Sequence, residues 1–339
     1  MLLRTLGCLL LPQEPSWRQP SLHGVRGLGA TEAAEEALKG LRRLVEEARD
    51  VWGLLEALDF LEARIAARPF SAPLVNTARG ILEALASKEY ESIGEARKSI
   101  SESVDRVLAR VVEETEAAAE IAARRLEDGD VVLTQGYSRS VIRALEKAAA
   151  MGKDIRVIVA ESRPLLDGVE AARALARIGI EVTLIVDSAM RFMVKDATRA
   201  LIGADAVTAD GTVISRTGAG LLALAANEAR VRLIVVAGSY KLYPDTVYGL
   251  SIETPALGDE IIPEEHRRLG VRGYAPLFEH IPPNLVDALA TEKGLVAPEA
   301  VPVLIREEYG EWPPRLEPLD KLFARARERL RELARAENR

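Results

Sequence analysis

The sequence predicts an α/β protein: a helical N-terminal domain followed by a Rossmann-like domain built on a mostly parallel, doubly wound sheet. Three observations carry that expectation. Residues from about Thr31 to Leu126 are rich in Ala, Leu, Glu and Arg, with apolar side chains at helical spacing. From Asp130 the texture changes to short β-branched runs, apolar without strict alternation, as in strands covered on both faces. These runs alternate with helical segments, which is the pattern of parallel strands joined by crossover helices.

Residues 1–21 open with "MLLRTLGCLLLPQEPSW", whose short apolar run looks like the start of a signal peptide. Pro12, Pro15 and Trp17 follow where a small-residue cleavage site would be needed, so the segment reads as a floppy extension or a misassigned start. No other stretch is apolar and long enough to span a membrane, and a cytoplasmic protein is expected.

Residues 22–128 make up the helical domain. Thr31 followed by Glu35 and Glu36 places carboxylates in a first helical turn, where the helix dipole favours them. "RPFSAPLVN" (Arg68 to Asn76) interrupts the pattern because Pro69 and Pro73 cannot sit in a helix interior. A long helical stretch then runs to Gly129. Residues 129–316 form the sheet domain, with strands in "DVVLTQ", "IRVIVAE", "EVTLIVD", "ALIGADAVTADGTVI" and "RLIVVAG". Helices at roughly Ser138–Met151, Gly168–Arg177 and Ser188–Asp196 lie between them, and after Pro244 the pattern turns irregular. Residues 317–339 carry "LDKLFARARERLRELARAENR", which reads as a charged, solvated helix.

At 339 residues, two domains are the natural expectation. Aromatic residues make up only 4%, which argues against recognition by stacked bases, and a formal net charge of −7 argues against non-specific nucleic-acid binding. Cys8 is the only cysteine, so no intrachain disulfide or thiolate cluster can form, in keeping with a reducing compartment. His23, His266 and His280 are scattered, and neither a metal site nor a cofactor is expected. The preference for Arg suits a thermophile, and a GC-rich genome would produce it equally.

Ligands of such sheets gather at the carboxyl ends of the strands. After the first strand, Gly136 permits close backbone approach, Ser138 can cap the next helix and Arg139 offers a fork for phosphate. The plain alternative makes Ser138 only a cap and Arg139 a surface charge, and from this loop alone it is favoured. Asp205 in "GAD" is a candidate general acid or base, or else a turn residue. "SRTGAG" (Ser215–Gly220) enters a helix and suits an anion, and Lys241 in "SYKLYP" could meet a second phosphate. Arg163 of "ESRPLLDG" has an acid as its alternative partner. Neither GxxxxGK[ST] nor GxGxxG occurs, which disfavours nucleotide hydrolysis and dinucleotide cofactors.

In order and spacing, "LTQGYSRSVIRALEKA", "VIVAESRPLLDG", "VDSA", "GADAV…DGTVISRTGAG" and "GSYKLYP" resemble the translation initiation factor 2B α/β/δ family, over roughly residues 22–300. Its superfamily includes ribose-1,5-bisphosphate isomerase and methylthioribose-1-phosphate isomerase. The isomerases shift a phosphosugar carbonyl with a cysteine and an aspartate. The resemblance implies phosphate binding by "RGLG" (Arg26, Gly27, Leu28, Gly29), substrate binding by Arg68 and Lys241, and an acid role for Asp205. It places Ser215-Arg216 where the family has Asn-Lys, and Gly136 where the isomerases have the catalytic cysteine. Losing one partner of an acid–base pair typically removes about 10²–10⁴ in rate. Tyr137 is a poor replacement, since a phenol near pKa ~10 is protonated at neutral pH. The "GYSR" loop is closer to the Tyr-Ser-Arg loop of initiation-factor α-subunits. What the resemblance implies is an archaeal initiation-factor-2B-like protein that binds a phosphorylated sugar or a nucleotide monophosphate without turnover. Self-association, and an initiation factor 2 subunit as partner, are implied in the same way. Ribose-1,5-bisphosphate isomerase is the alternative.

Overall fold

Helix boundaries in the N-terminal half follow from capping. The computed structural model describes residues 29–250 and 252–337, beginning with α1 (Ala30–Glu47), α2 (Val51–Ala67), α3 (Ala72–Ala86) and α4 (Ile93–Arg124). Asp50 caps α2 by accepting from the Gly53 N–H at 2.9 Å, and Ser92 caps α4 by accepting from the Glu95 N–H at 3.2 Å. Pro69 lies in the break between α2 and α3, while Pro73 falls in the first turn of α3, where no partner for its nitrogen is needed.

The second half runs β1 (Val131–Gln135), α5 (Arg139–Ala150), β2 (Arg156–Ala160), α6 (Asp167–Arg177), β3 (Glu181–Ile185), α7 (Met190–Met193) and β4 (Arg199–Gly203). β5 (Ala206–Thr208), β6 (Val213–Arg216), α8 (Ala219–Ala229), β7 (Arg232–Val236), β8 (Leu242–Tyr243) and β9 (Ala256–Leu257) follow. The chain closes with α9 (Glu264–Arg268), β10 (Ala275–Pro276), β11 (Phe278–Ile281), β12 (Ala288–Thr291), β13 (Gly294–Val296), α10 (Val301–Tyr309) and α11 (Leu319–Glu337).

Among the described residues, the main sheet has the order β13-β12-β7-β4-β1-β2-β3. All its neighbours are parallel except β12 and β13. From β1 the chain winds outward through β2 to β3, then returns to the other side of β1 and winds through β4 and β7 to β12. The winding therefore reverses between β1 and β4, and the crevice at their carboxyl ends is where such a sheet takes a ligand. A smaller sheet, β11-β6-β5-β8, stands beyond the end of β4.

One apolar cluster joins α1, α2 and α3 to Phe278 and to α11. A second lies under α8 and α10, and a third sits beneath α5, α6 and the distal half of α4. α4 thus serves both halves: Ile100 and Val104 pack among the N-terminal helices, while Ala118, Ala119, Ala122 and Ala123 cover a face of the sheet. No helix among the described residues is long and apolar enough to cross a membrane.

Three sequence expectations change. The single run "ALIGADAVTADGTVI" holds β4, β5 and β6, shared between two sheets. The irregular region after Pro244 contributes β12 and β13 to the main sheet, hidden because strands of three or four residues show no period. The C-terminal helix is not simply solvated. Leu322, Phe323, Ala326, Leu330 and Leu333 are buried in the cluster shared with α2 and α3, while its arginines face water or carboxylates.

Candidate functional site

At the end of β1, Gly136 adopts φ +69°, a left-handed conformation that glycine takes without strain. A Cβ there would meet Arg216 at ordinary distances of 3.6 and 3.7 Å, so the torsion, rather than space, favours glycine. The Gly136 N–H donates to Ser162 Oγ at 2.6 Å, and that hydroxyl donates to Gln135 Oε1 at 3.0 Å. Gln135 Nε2 in turn donates to the Arg216 carbonyl at 3.2 Å. The loops after β1 and β2 are thereby tied to the end of β6. Asp187 fixes the middle loop, accepting from the backbone N–H groups of Ser162 and Arg163 at 2.8 and 2.7 Å.

Five buried charged side chains converge here: Arg68 at the C-cap of α2, Asp167 at the start of α6, Asp205 after β4, Arg216 ending β6 and Lys241 after β7. Arg68 Nη2 lies 3.6 Å from Asp205 Oδ1, which accepts no hydrogen bond among the described residues. Arg216 Nε lies 3.0 Å from Asp167 Oδ2, with its guanidinium 4.6 Å from the centre of the Phe278 ring. Burial pushes the Asp167 carboxyl above the usual carboxylate range, Arg216 opposes this, and the charge of Asp205 adds to it. Burial also pulls the Arg68 guanidinium down, and Asp205 acts against that. Lys241 is 3% exposed, donates to Ser140 Oγ at 3.4 Å and has no carboxylate within ion-pair distance among the described residues.

Of the residues singled out in the sequence, Gly29, Gly136, Ser138, Arg139, Asp205, Ser215, Arg216 and Lys241 line one cleft. Arg68 reaches it through Asp205. Arg26, Gly27 and Leu28 lie outside the described residues. Ser138 caps α5, its Oγ accepting from the Val141 N–H at 3.5 Å, and Ser215 Oγ donates to the Gly203 carbonyl at 2.9 Å. The free space is about 20 Å³, room for about one water, so anything larger than a water would need these side chains to move.

Two expected phosphate contacts already have anionic partners. Arg139 pairs with Glu32 at 3.0 Å and with Glu35, which joins α5 to α1. At the "SRTGAG" turn, Glu279 Oε1 accepts from the N–H groups of Gly218 and Gly220 at 2.6 and 2.8 Å. The anion suited to that helix end is the protein's own. Arg163 is exposed and is not among the residues lining the cleft. Burial and the charge of Glu32 push the Tyr137 phenol up, which weakens it further as a base.

Sequence reasoning missed Asp167, Ser162 and Gln135. In sequence, Asp167 has the signature of a first-turn helix acid, and nothing local announces its approach to Arg216, a residue of another strand.

Residues 26–298 match the model of the initiation factor 2 subunit family. The chain belongs to this family. A ribose 1,5-bisphosphate isomerase of Archaeoglobus fulgidus is 34% identical over 283 residues, covering 83% of this chain and 89% of that protein. One from Thermococcus kodakarensis is 39% identical over 199 residues, 58% of this chain and 62% of its own length, somewhat under two thirds. The solved Pyrococcus horikoshii OT3 translation initiation factor eIF-2B matches with a TM-score of 0.69 at 30% identity, covering 80% of this chain and 92% of that one. The relatives of this member of the initiation factor 2 subunit family thus carry the names of both isomerases and initiation factors. Its own side chains must decide between the two chemistries.

Proposed function

We propose that this protein binds a phosphorylated sugar or a nucleotide monophosphate in the crevice between β1 and β4, as an initiation-factor-2B-like protein without isomerase-level turnover. The observation that carries the reading is the loop after β1, where Gly136 at φ +69° supplies no titratable side chain to act with Asp205. An aldose–ketose shift removes a proton from one carbon and delivers one to its neighbour, so it calls for a base and an acid in register. Ser138 and Ser215 are neutral hydroxyls with partners of their own, and Tyr137 is pushed in the wrong direction. Lys241, buried without a carboxylate partner among the described residues, supports the binding half, because a buried ammonium is costly until an anion neutralises it.

A coupled assay for ribulose 1,5-bisphosphate formation, run beside a thermal-shift screen of sugar bisphosphates and nucleotide monophosphates, tests both halves. Ligand-dependent stabilisation without turnover is the expected result. Robust turnover abolished by Asp205→Asn would overturn the non-catalytic half, and the absence of any stabilising ligand would overturn the binding half.

Similarity to the A. fulgidus isomerase over most of both chains, together with the retained Asp205, favours ribose-1,5-bisphosphate isomerase as the second reading. We also take the protein to associate with itself in the cytoplasm, with an initiation factor 2 subunit as candidate partner. Light scattering and pull-down against purified subunits test these points.

A further inference from the structure

Asp167 stands out because the proposed function gives it no task. It is 7% exposed, and its Oδ2 holds Arg216 Nε at 3.0 Å, while Arg216 itself lines the adjoining cleft. Across the same cluster, Asp205 holds Arg68 at 3.6 Å. Two buried carboxylates therefore already meet two buried guanidiniums, with Lys241 as the one further buried cation of this cluster among the described residues, able to offset one of the two charges of a phosphate dianion. A phosphate dianion arriving at Arg216 places further negative charge beside Asp167 in a region with little water to screen it. A like charge brought close in a poorly solvated site favours the protonated form of a carboxyl group.

The groups facing Asp167 from neighbouring elements sharpen this. Arg216 comes from β6, Asp205 from the end of β4 and Arg68 from the end of α2. Asp167 also lines a separate, partly open cavity of about 460 Å³ with Arg163 and Glu170 of its own segment and Glu260 from the 259–261 turn. That cavity gives a proton a path from solvent that does not cross the ligand cleft. Burial already raises the Asp167 carboxyl, so less is needed to protonate it than an ordinary carboxylate requires.

We propose that Asp167 is a proton-linked positioning residue: it holds Arg216 in the ligand-free protein and takes up one proton as a phosphorylated ligand claims that guanidinium. The proton comes from solvent and forms an O–H bond on the carboxylate. The carboxylate–guanidinium ion pair breaks and a phosphate–guanidinium pair replaces it. This inference rests on the proposed cleft as the phosphate site. Its consequence has a definite sign. Asp167 holds its proton more tightly in the complex than in the free protein. The contribution of Asp167 to affinity is therefore greatest at low pH, and its decline with rising pH raises Kd by up to about tenfold per pH unit between the free and bound pKa values.

Isothermal titration with ribose 1,5-bisphosphate and with AMP, in buffers of differing ionisation enthalpy, reads the protons taken up on binding. The ligand's own phosphate titration is common to all variants, so differences between them isolate the protein group. Wild type is expected to take up close to one proton more than Asp167→Asn at the same pH, and Asp167→Glu, which keeps a carboxyl group, is expected to restore the uptake. Asp167→Asn should also flatten the pH dependence of Kd. Thermal melting of each variant identifies any that fails to fold, and Asp167→Glu then carries the comparison through its shifted pH profile. Equal proton uptake by wild type and Asp167→Asn, with binding intact, overturns the linkage alone. No binding heat from either probe with folded wild type overturns both the linkage and the cleft on which it rests.

Discussion

Gly203 and Ser138 are so close that a single methyl group on Gly203 would fall 2.1 Å from Ser138 Oγ and 2.6 Å from its Cβ. The end of β4 and the cap of α5 therefore define each other, with Asp205 two residues beyond the contact. Gly203→Ala should destabilise the protein by about 1–3 kcal/mol, the usual penalty for overpacking, and should abolish the ligand-induced thermal shift. Ser138→Gly removes both clashing atoms, so the double variant should be more stable than the sum of the two single effects. Urea denaturation of the four proteins measures this coupling, and strict additivity would contradict it.

Replacing Lys241 with methionine tests the anion site without opening a cavity. Removing a buried ammonium whose hydrogen-bond partner is a serine 3.4 Å away should leave melting of the free protein unchanged or slightly raised. The stabilisation by sugar phosphates seen with wild type should disappear. Retained stabilisation in Lys241→Met would remove this lysine from the site.

Position on α11 decides the size of a mutational effect. Phe323 is 2% exposed against the N-terminal helices, so Phe323→Ala should cost about 3–5 kcal/mol, whereas Arg331→Ala on the exposed side should stay within about 0.5 kcal/mol. Chemical denaturation distinguishes a packed helix from a solvated one by this contrast.

Glu116 accepts from Arg143 at 2.6 and 2.9 Å and pairs with Lys147 at 3.0 Å, which holds its carboxyl down to about 2. Its folded pKa lies below the unfolded value of roughly 4.3, so its contribution is fully present above that pH. That contribution is lost as pH falls towards 2. Glu116→Gln should flatten the stability–pH curve within this window and leave the slope near neutrality unchanged. Denaturant midpoints measured from pH 2 to pH 7 provide the check.

Local regularities made much of this protein legible in one dimension. The 3.6-residue period of the N-terminal helices, the β-branched runs and the turn residues between them depend on neighbours in sequence, so the fold class could be read directly. Strand ends are sequence features too, and Gly136, Ser138, Asp205, Ser215, Arg216 and Lys241 do line a single cleft. The tertiary structure decided which charges meet. Arg139 faces Glu32 and Glu35, Glu279 fills the turn before α8, Asp167 takes hold of Arg216, and a helix dense in arginine turns Phe323 into the core. Each of these contacts joins elements far apart in the chain, and its strength depends on distance and burial, which residue types and their spacing along the chain do not encode.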